Sequence, residues 1–174
     1  MIQTLKILTE NYINPGGKMK TVINLLILSF LVACGSNVDA NKKMAGDFLD
    51  LALSPNALDA QKLTHPDFKF VFMGNTEISN IPYDRDAYFE YWLPEVVGKL
   101  LPTGITLSTT DMIADDDGVA VIMEGDAEGI NGEYDNKYVF VYKFKDGKIF
   151  SIHEYNSDLL VATRLYKNKL VPSD

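Results

Sequence analysis

One cysteine, two histidines and one tryptophan in 174 residues leave little material for several kinds of chemistry. Cys34 has no second cysteine to pair with, so no disulfide can form within the chain. The sequence contains no H-E-x-x-H zinc motif, no calcium loop, no Gly-rich nucleotide loop and no G-x-S-x-G elbow. Neither a metal site nor a cofactor is therefore expected. Positive charge is also scarce: 16 Lys and Arg stand against 24 Asp and Glu, a formal charge of −8, which gives no bulk electrostatic attraction to nucleic acid. The one long apolar run, Val22 to Ala33, falls well short of the ~20 residues that a membrane-spanning helix needs.

That run has a different use. Lys20 precedes an apolar stretch containing Leu25, Leu26, Ile27, Leu28, Phe30 and Leu31, and Leu31-Val32-Ala33-Cys34 closes it, with small Ala33 and Gly35 around the cysteine. The segment resembles a bacterial lipoprotein signal peptide, and the resemblance implies cleavage before Cys34 and attachment of lipid to its thiol. Each buried methylene of such a lipid contributes about 0.8 kcal/mol, so two or three chains anchor a protein durably. The expected location is the bacterial cell envelope, exported and lipid-anchored, at the outer membrane if the cell has one, since the absence of Asp after the cysteine is compatible with that sorting. An ordinary secretory signal or an uncleaved anchor would also export the domain. Residues 19–33 would be the signal peptide. Residues 1–18 read as a misassigned extension, with translation starting at Met19: one permitted coding of Pro15-Gly16-Gly17-Lys18 contains a ribosome-binding element just upstream.

Processing at Cys34 leaves the last 141 residues, enough for one domain with one core and charged −10. Residues 34–41 form a short polar tether and 42–174 the domain. Met44, Ala45, Phe48, Leu49 and Ala52 recur at helical spacing, which predicts an amphipathic helix over 39–53. Ser54-Pro55 opens a second helix over 56–63. His65-Pro66-Asp67 reads as a turn before a strand over 68–73, and Asp84 starts a third helix that Pro94 kinks or restarts before its end near Leu100. Turn signals at 115–118, 129–132 and 146–147 then divide four strands, 105–114, 119–128, 134–145 and 148–155, into an antiparallel meander. A short helix over 157–166 closes the chain. The fold class is α+β: N-terminal helices packed on a curved, mostly antiparallel sheet, forming a cone with one open end where a small molecule would bind.

Gly132-Glu133-Tyr134-Asp135-Asn136-Lys137-Tyr138-Val139-Phe140-Val141, then Asp146-Gly147-Lys148-Ile149, then Glu154-Tyr155 with Asp158 shortly after, resemble the SnoaL-like branch of the nuclear transport factor two-like superfamily. Ketosteroid isomerases, polyketide cyclases and limonene epoxide hydrolases share that superfamily. The resemblance implies the cone-shaped α+β barrel and, where members are enzymes, a carboxylate or histidine in the cone that transfers protons or activates water. The catalytic sets of the isomerases and epoxide hydrolases have no match here, and fold alone names no reaction.

Three residues are candidates for such chemistry. Glu154 alternates with Phe150 and Ile152, which aims it into the apolar cone, where desolvation would raise its pKa and suit it to act as a base. The alternative is a structural carboxylate bonded to a tyrosine hydroxyl. His153 falls on the opposite strand face from Glu154, a sheet-surface or interface position unless a bulge intervenes. Glu124 groups with Ala120, Ile122 and Asp126; it either converges with Glu154 across the sheet or lies on an exposed face opposite Val121 and Met123. Phe72, Tyr88, Trp92 and Tyr138 are expected to line a ligand pocket. His65 and Asp67 serve a turn, and Asp158 caps the last helix. Three functions fit: a membrane-anchored domain binding a small apolar or mixed-polarity molecule, an acid/base isomerase, cyclase or hydrolase using Glu154, or an envelope interaction module that dimerises through its sheet.

Overall fold

The computed structural model describes residues 37–172. The start at Met19, the signal segment 19–33 and Cys34 lie outside the described residues. Among those described, no helix is long and apolar enough to cross a membrane.

Helix α1 covers 37–52, and its periodic apolar stripe does what the spacing predicts: Ala45, Phe48, Leu49 and Ala52 are buried while Asp50 stays in solvent. α2 (Ala57–Lys62) follows and leads directly into β1 (Thr64–Met73). His65-Pro66-Asp67 therefore lies inside a strand and does not interrupt it. The irregularity is absorbed by a shift in pairing between Thr64 and Lys69, which accommodates a proline that cannot donate to the ladder. A three-residue strand that the sequence pattern does not announce, β2 (Pro82–Asp84), pairs antiparallel to β1.

Asp84 caps the next helix by accepting from the Ala87 N–H at 2.9 Å. This helix, α3, begins as Arg85–Ala87, widens to π-helical geometry over Tyr88–Val97 and ends as Gly98–Leu100. Pro94 sits inside the widened stretch, where the missing N–H is tolerated without ending the helix. The meander follows as β3 (Ile105–Asp115), β4 (Gly118–Gly129), a two-residue β5 (Gly132–Glu133), β6 (Lys137–Lys145) and β7 (Lys148–Tyr155). α4 starts as Asp158–Leu160 and continues as Val161–Leu165, with Ser157 at its N-cap.

The main sheet runs β2-β1-β7-β6-β4-β3, with β5 on β4. Every pairing is antiparallel except β1 with β7. The sheet curls into a half-barrel with the helices over its concave face, the expected α+β cone. Alternation along β4 and β6 sends Val119, Val121, Met123, Tyr138, Phe140 and Tyr142 inward. Phe48 of α1 is fully buried at the centre, within 6.3 Å ring-to-ring of Phe68, Tyr88, Phe89 and Tyr142.

Candidate functional site

One row of inward side chains crosses the sheet as Phe72, Glu154, Phe140, Val121 and Met112, on β1, β7, β6, β4 and β3. Glu154 is the only ionisable group in it. Phe72, Glu154 and Phe140 of this row line a cavity of about 70 Å³, walled as well by Tyr88, Trp92, Val96 and Leu100 of α3. Phe72, Tyr88, Trp92 and Tyr138 all stand in its wall with Glu154. Alone the cavity is smaller than a typical small-molecule site, about 300–1,000 Å³; the groove it opens into adds about 1000 Å³.

Burial raises the Glu154 carboxyl to about 7, because the low-dielectric surroundings penalise its charged form. One contact opposes this: the Asn156 side-chain N–H donates to Oε1 at 3.1 Å. No cation forms an ion pair with Glu154 among the described residues. The residue is half-buried. Around it, burial pushes Tyr134 up to about 12 and raises Tyr88, Tyr138 and Tyr142 further, with the negative charge of Glu154 adding to each. All four therefore remain protonated at neutral pH and can donate hydrogen bonds. The Tyr142 hydroxyl is buried without a partner.

Tyr134 and Asn136 belong to the link between β5 and β6. The Tyr134 N–H donates to Ala127 O, and the Gly125 N–H donates to Asn136 O, both at 2.8 Å. These bonds pin the link to β4 and end the ladder that the sequence pattern extended back to Tyr134. Asn136 is buried, and its Nδ2 donates to the Tyr134 hydroxyl at 3.0 Å.

Glu124 does not share this site. β4 places it on the outer face with Ala120 and Ile122, exposed and paired with Lys137 across the β4–β6 ladder. The possible convergence with Glu154 is thereby corrected: strand parity puts the two carboxylates on opposite sides of the sheet. His153 also faces outward, in a row with Val71, Val141 and Ala120, and so forms no dyad with Glu154. Phe150, expected beside Glu154, is instead the extra residue of a bulge in the β6–β7 pairing and packs on the His65 ring at 5.6 Å. His65 accepts from the Asp67 N–H at 3.0 Å. Asp158 accepts from the Asn75 N–H at 2.9 Å, while Ser157 provides the cap.

The cavity opens into a wider groove through five shared residues: Leu53, Leu93, Val97, Leu101 and Ile105. One side of this groove is apolar, with Phe89 and Pro94, and the other carries Asp126, Glu128, Glu133 and Asp135. Nothing in the hydrophobic periodicity distinguishes these carboxylates from ordinary solvent-facing strand residues. Among the described residues, no three His, Cys, Asp or Glu side chains are grouped as metal ligands would be.

Residues 47–152 match the family model of the SnoaL-like domain. No curated protein matches the sequence. Among solved structures, a phenazine biosynthesis-related protein from Pseudomonas aeruginosa superposes with a TM-score of 0.67 at 16% identity, covering 83% of this chain and 95% of that one. Bal32a, from a soil-derived mobile gene cassette, gives 0.63 at 18% identity, over 74% of this chain and 96% of its own. An NTF2-like protein from Burkholderia xenovorans gives 0.58 at 15% identity, over 74% and 97%. At these identities the likeness is one of fold.

Proposed function

The chain belongs to the SnoaL-like domain family, and we propose that it is an acid/base enzyme that uses Glu154 to move a proton on a small, largely apolar carbonyl compound. The observation that carries this reading is a lone carboxylate near neutrality, raised by burial, in an aromatic cavity ringed by protonated tyrosines. A base works best when its pKa lies near the operating pH, and 7 meets that condition. In the step proposed, a C–H bond beside the carbonyl breaks and its proton passes to a Glu154 oxygen. The electron pair moves onto the carbonyl oxygen, where a tyrosine hydroxyl stabilises the developing charge. Return of the proton to another carbon is an isomerisation; attack of the enolate on a second carbonyl is a cyclisation.

The test is hydrogen–deuterium exchange in D2O, followed by NMR on a panel of cyclic enones and 1,3-diketones. Exchange at the α-carbon that falls by 10²-fold or more in Glu154→Gln is expected. If compounds bind and none exchanges, or the Gln variant exchanges as fast, the base role fails. Binding without chemistry then becomes the better reading, and the mostly apolar wall already favours it as the second choice.

We also propose that the domain is held at an exported membrane surface by lipid on Cys34, a reading supported by Leu31-Val32-Ala33-Cys34. Metabolic labelling with a fatty acid in a bacterial host should mark the parent and leave Cys34→Ser unlabelled. Label retained in that variant would rule out the anchor at this thiol.

A further inference from the structure

Glu154, Tyr88, Tyr134 and Tyr138 all line the small cavity, and none of them lines the groove. The two spaces differ greatly in size, about 70 Å³ against about 1000 Å³. An apolar cavity of roughly 150 Å³ takes up one benzene molecule, so about half that volume holds the slender end of a molecule and not a whole ring. A ligand that touches Glu154 therefore keeps its body in the groove and passes one narrow end inward. The residues common to both linings, Leu53, Leu93, Val97, Leu101 and Ile105, form the neck that this end must pass. All of them are apolar. A charged end would shed its hydration among them without gaining a partner, which favours an uncharged one.

Within the neck, Leu93 and Val97 stand apart. Both belong to the π-helical part of α3, four residues apart and so neighbours on one face, and both are only half-buried. Widened helical geometry of this kind recurs at functional sites. Leu101 is buried in the core, and Ile105 helps to place the cavity wall: its Cδ1 and the Tyr138 ring lie 3.0 and 2.7 Å from where a Cβ on Gly125 would stand. We propose that Leu93 and Val97 are specificity-determining residues, which restrict what reaches Glu154 to a slender, uncharged carbonyl end of a molecule whose larger body lies in the groove. The inference rests on the acid/base reading above and adds the shape of the substrate. That body meets Phe89 and Pro94 on the apolar wall. Four carboxylates and no Lys, Arg or His line the groove, so an anionic body is disfavoured there.

The probes are uncharged styryl ketones that share one phenyl-bearing body and differ at the reacting end, which is methyl, ethyl or isopropyl. Deuterium exchange at that end is followed by NMR, and exchange catalysed by acetate in solution gives the intrinsic order. One methylene in an apolar pocket is worth roughly 10–200-fold, so the parent should prefer methyl to isopropyl by about 10²-fold beyond the solution ratio. Leu93→Ala and Val97→Ala should each lower that preference about tenfold, chiefly by speeding the isopropyl ketone. The amount of folded protein cancels in the ratio. A parent that follows the solution order, or alanine variants that both keep the parent's ratio, overturns the proposal. Should either variant not fold, Leu53→Ala, at the exposed side of the neck, is read the same way. Trp92, the sole tryptophan of the chain and part of the cavity wall, reports binding of the same ketones by fluorescence and separates the two ideas. If only the base role fails, no ketone exchanges, yet the methyl-to-isopropyl affinity ratio still falls in the alanine variants. If only the neck fails, exchange that depends on Glu154 persists without size preference. Neither exchange nor selective binding overturns the proposal as well.

Discussion

Phe72 and Glu154 are partners across the β1–β7 ladder, the sheet's one parallel pairing, and Phe140 stands opposite Glu154 on the other side. The carboxylate is thus flanked within the sheet by two benzene rings, neither of which can hydrogen-bond it. Its one hydrogen-bonding side chain is Asn156. This arrangement explains why burial prevails over hydrogen bonding in setting its pKa: a single neutral amide recovers only part of the hydration that two aromatic neighbours displace.

A stability consequence follows from that raised pKa. The folded chain holds the Glu154 proton up to about pH 7, whereas an unfolded Glu releases it near 4.3. Folding therefore favours the protonated form, and stability is lost as pH rises through this window. Glu154→Gln, neutral at all pH, should match the parent near pH 4 and exceed it at pH 8 by up to about 3 kcal/mol. Denaturant titrations at the two pH values check this, and an equal difference at both would contradict the burial account.

Asn156 provides the matching test in the opposite sense. Its amide is the one contact that lowers the Glu154 pKa, so Asn156→Leu should move the pKa above 7. The acid limb of the pH–rate profile, or the side-chain carboxyl 13C titration, would shift to higher pH. A downward shift would mean that the carboxylate is governed by a group other than Asn156.

Much of this was legible in the sequence, where local pattern alone sets the outcome. Helical spacing from Met44 to Ala52 located α1, and alternation through Ile152 and Glu154 aimed the carboxylate inward. Alternation also left Glu124 with two possible placements, beside Glu154 or on an exposed face, and only the register of β4 against β6 resolved them by setting it on the outside, paired with Lys137. Features that depend on distant segments were not legible. The parallel β1–β7 pairing joins residues more than 80 positions apart, and it carries Pro66 into a strand that local rules interrupt. Asn136 looked like one polar residue of a strand; it is buried and hydrogen-bonded because the chain at Ser157 returns beside it.

Phe48 joins α1 to the aromatic core. Its ring is fully buried against four aromatic rings. Phe48→Ala should cost about 3–5 kcal/mol, a large part of the 5–15 kcal/mol typical of a domain. Thermal and denaturant unfolding would show it; a loss below 1 kcal/mol would mean that α1 is not a structural wall of the cone.

Two glycines on β4 separate folding from ligand recognition. A Cβ at Gly118 would come within 2.2 Å of the Tyr142 carbonyl oxygen, a backbone atom held in the sheet, so Gly118→Ala must distort the β4–β6 ladder. A Cβ at Gly125 would instead meet the Tyr138 ring, at 2.7 Å from Cε2, together with the Ile105 and Leu107 side chains. Side chains can rotate away where backbone cannot, so Gly125→Ala should keep more of its stability than Gly118→Ala while displacing the Tyr138 ring. Overpacking of either kind typically costs about 1–3 kcal/mol, with the backbone clash expected at the upper end. Gly125→Ala should therefore bind cyclic enones more weakly while remaining folded by circular dichroism, because the Tyr138 ring lines the cavity. A variant that binds the enones with the parent's affinity would show that the position of the Tyr138 ring does not control the site.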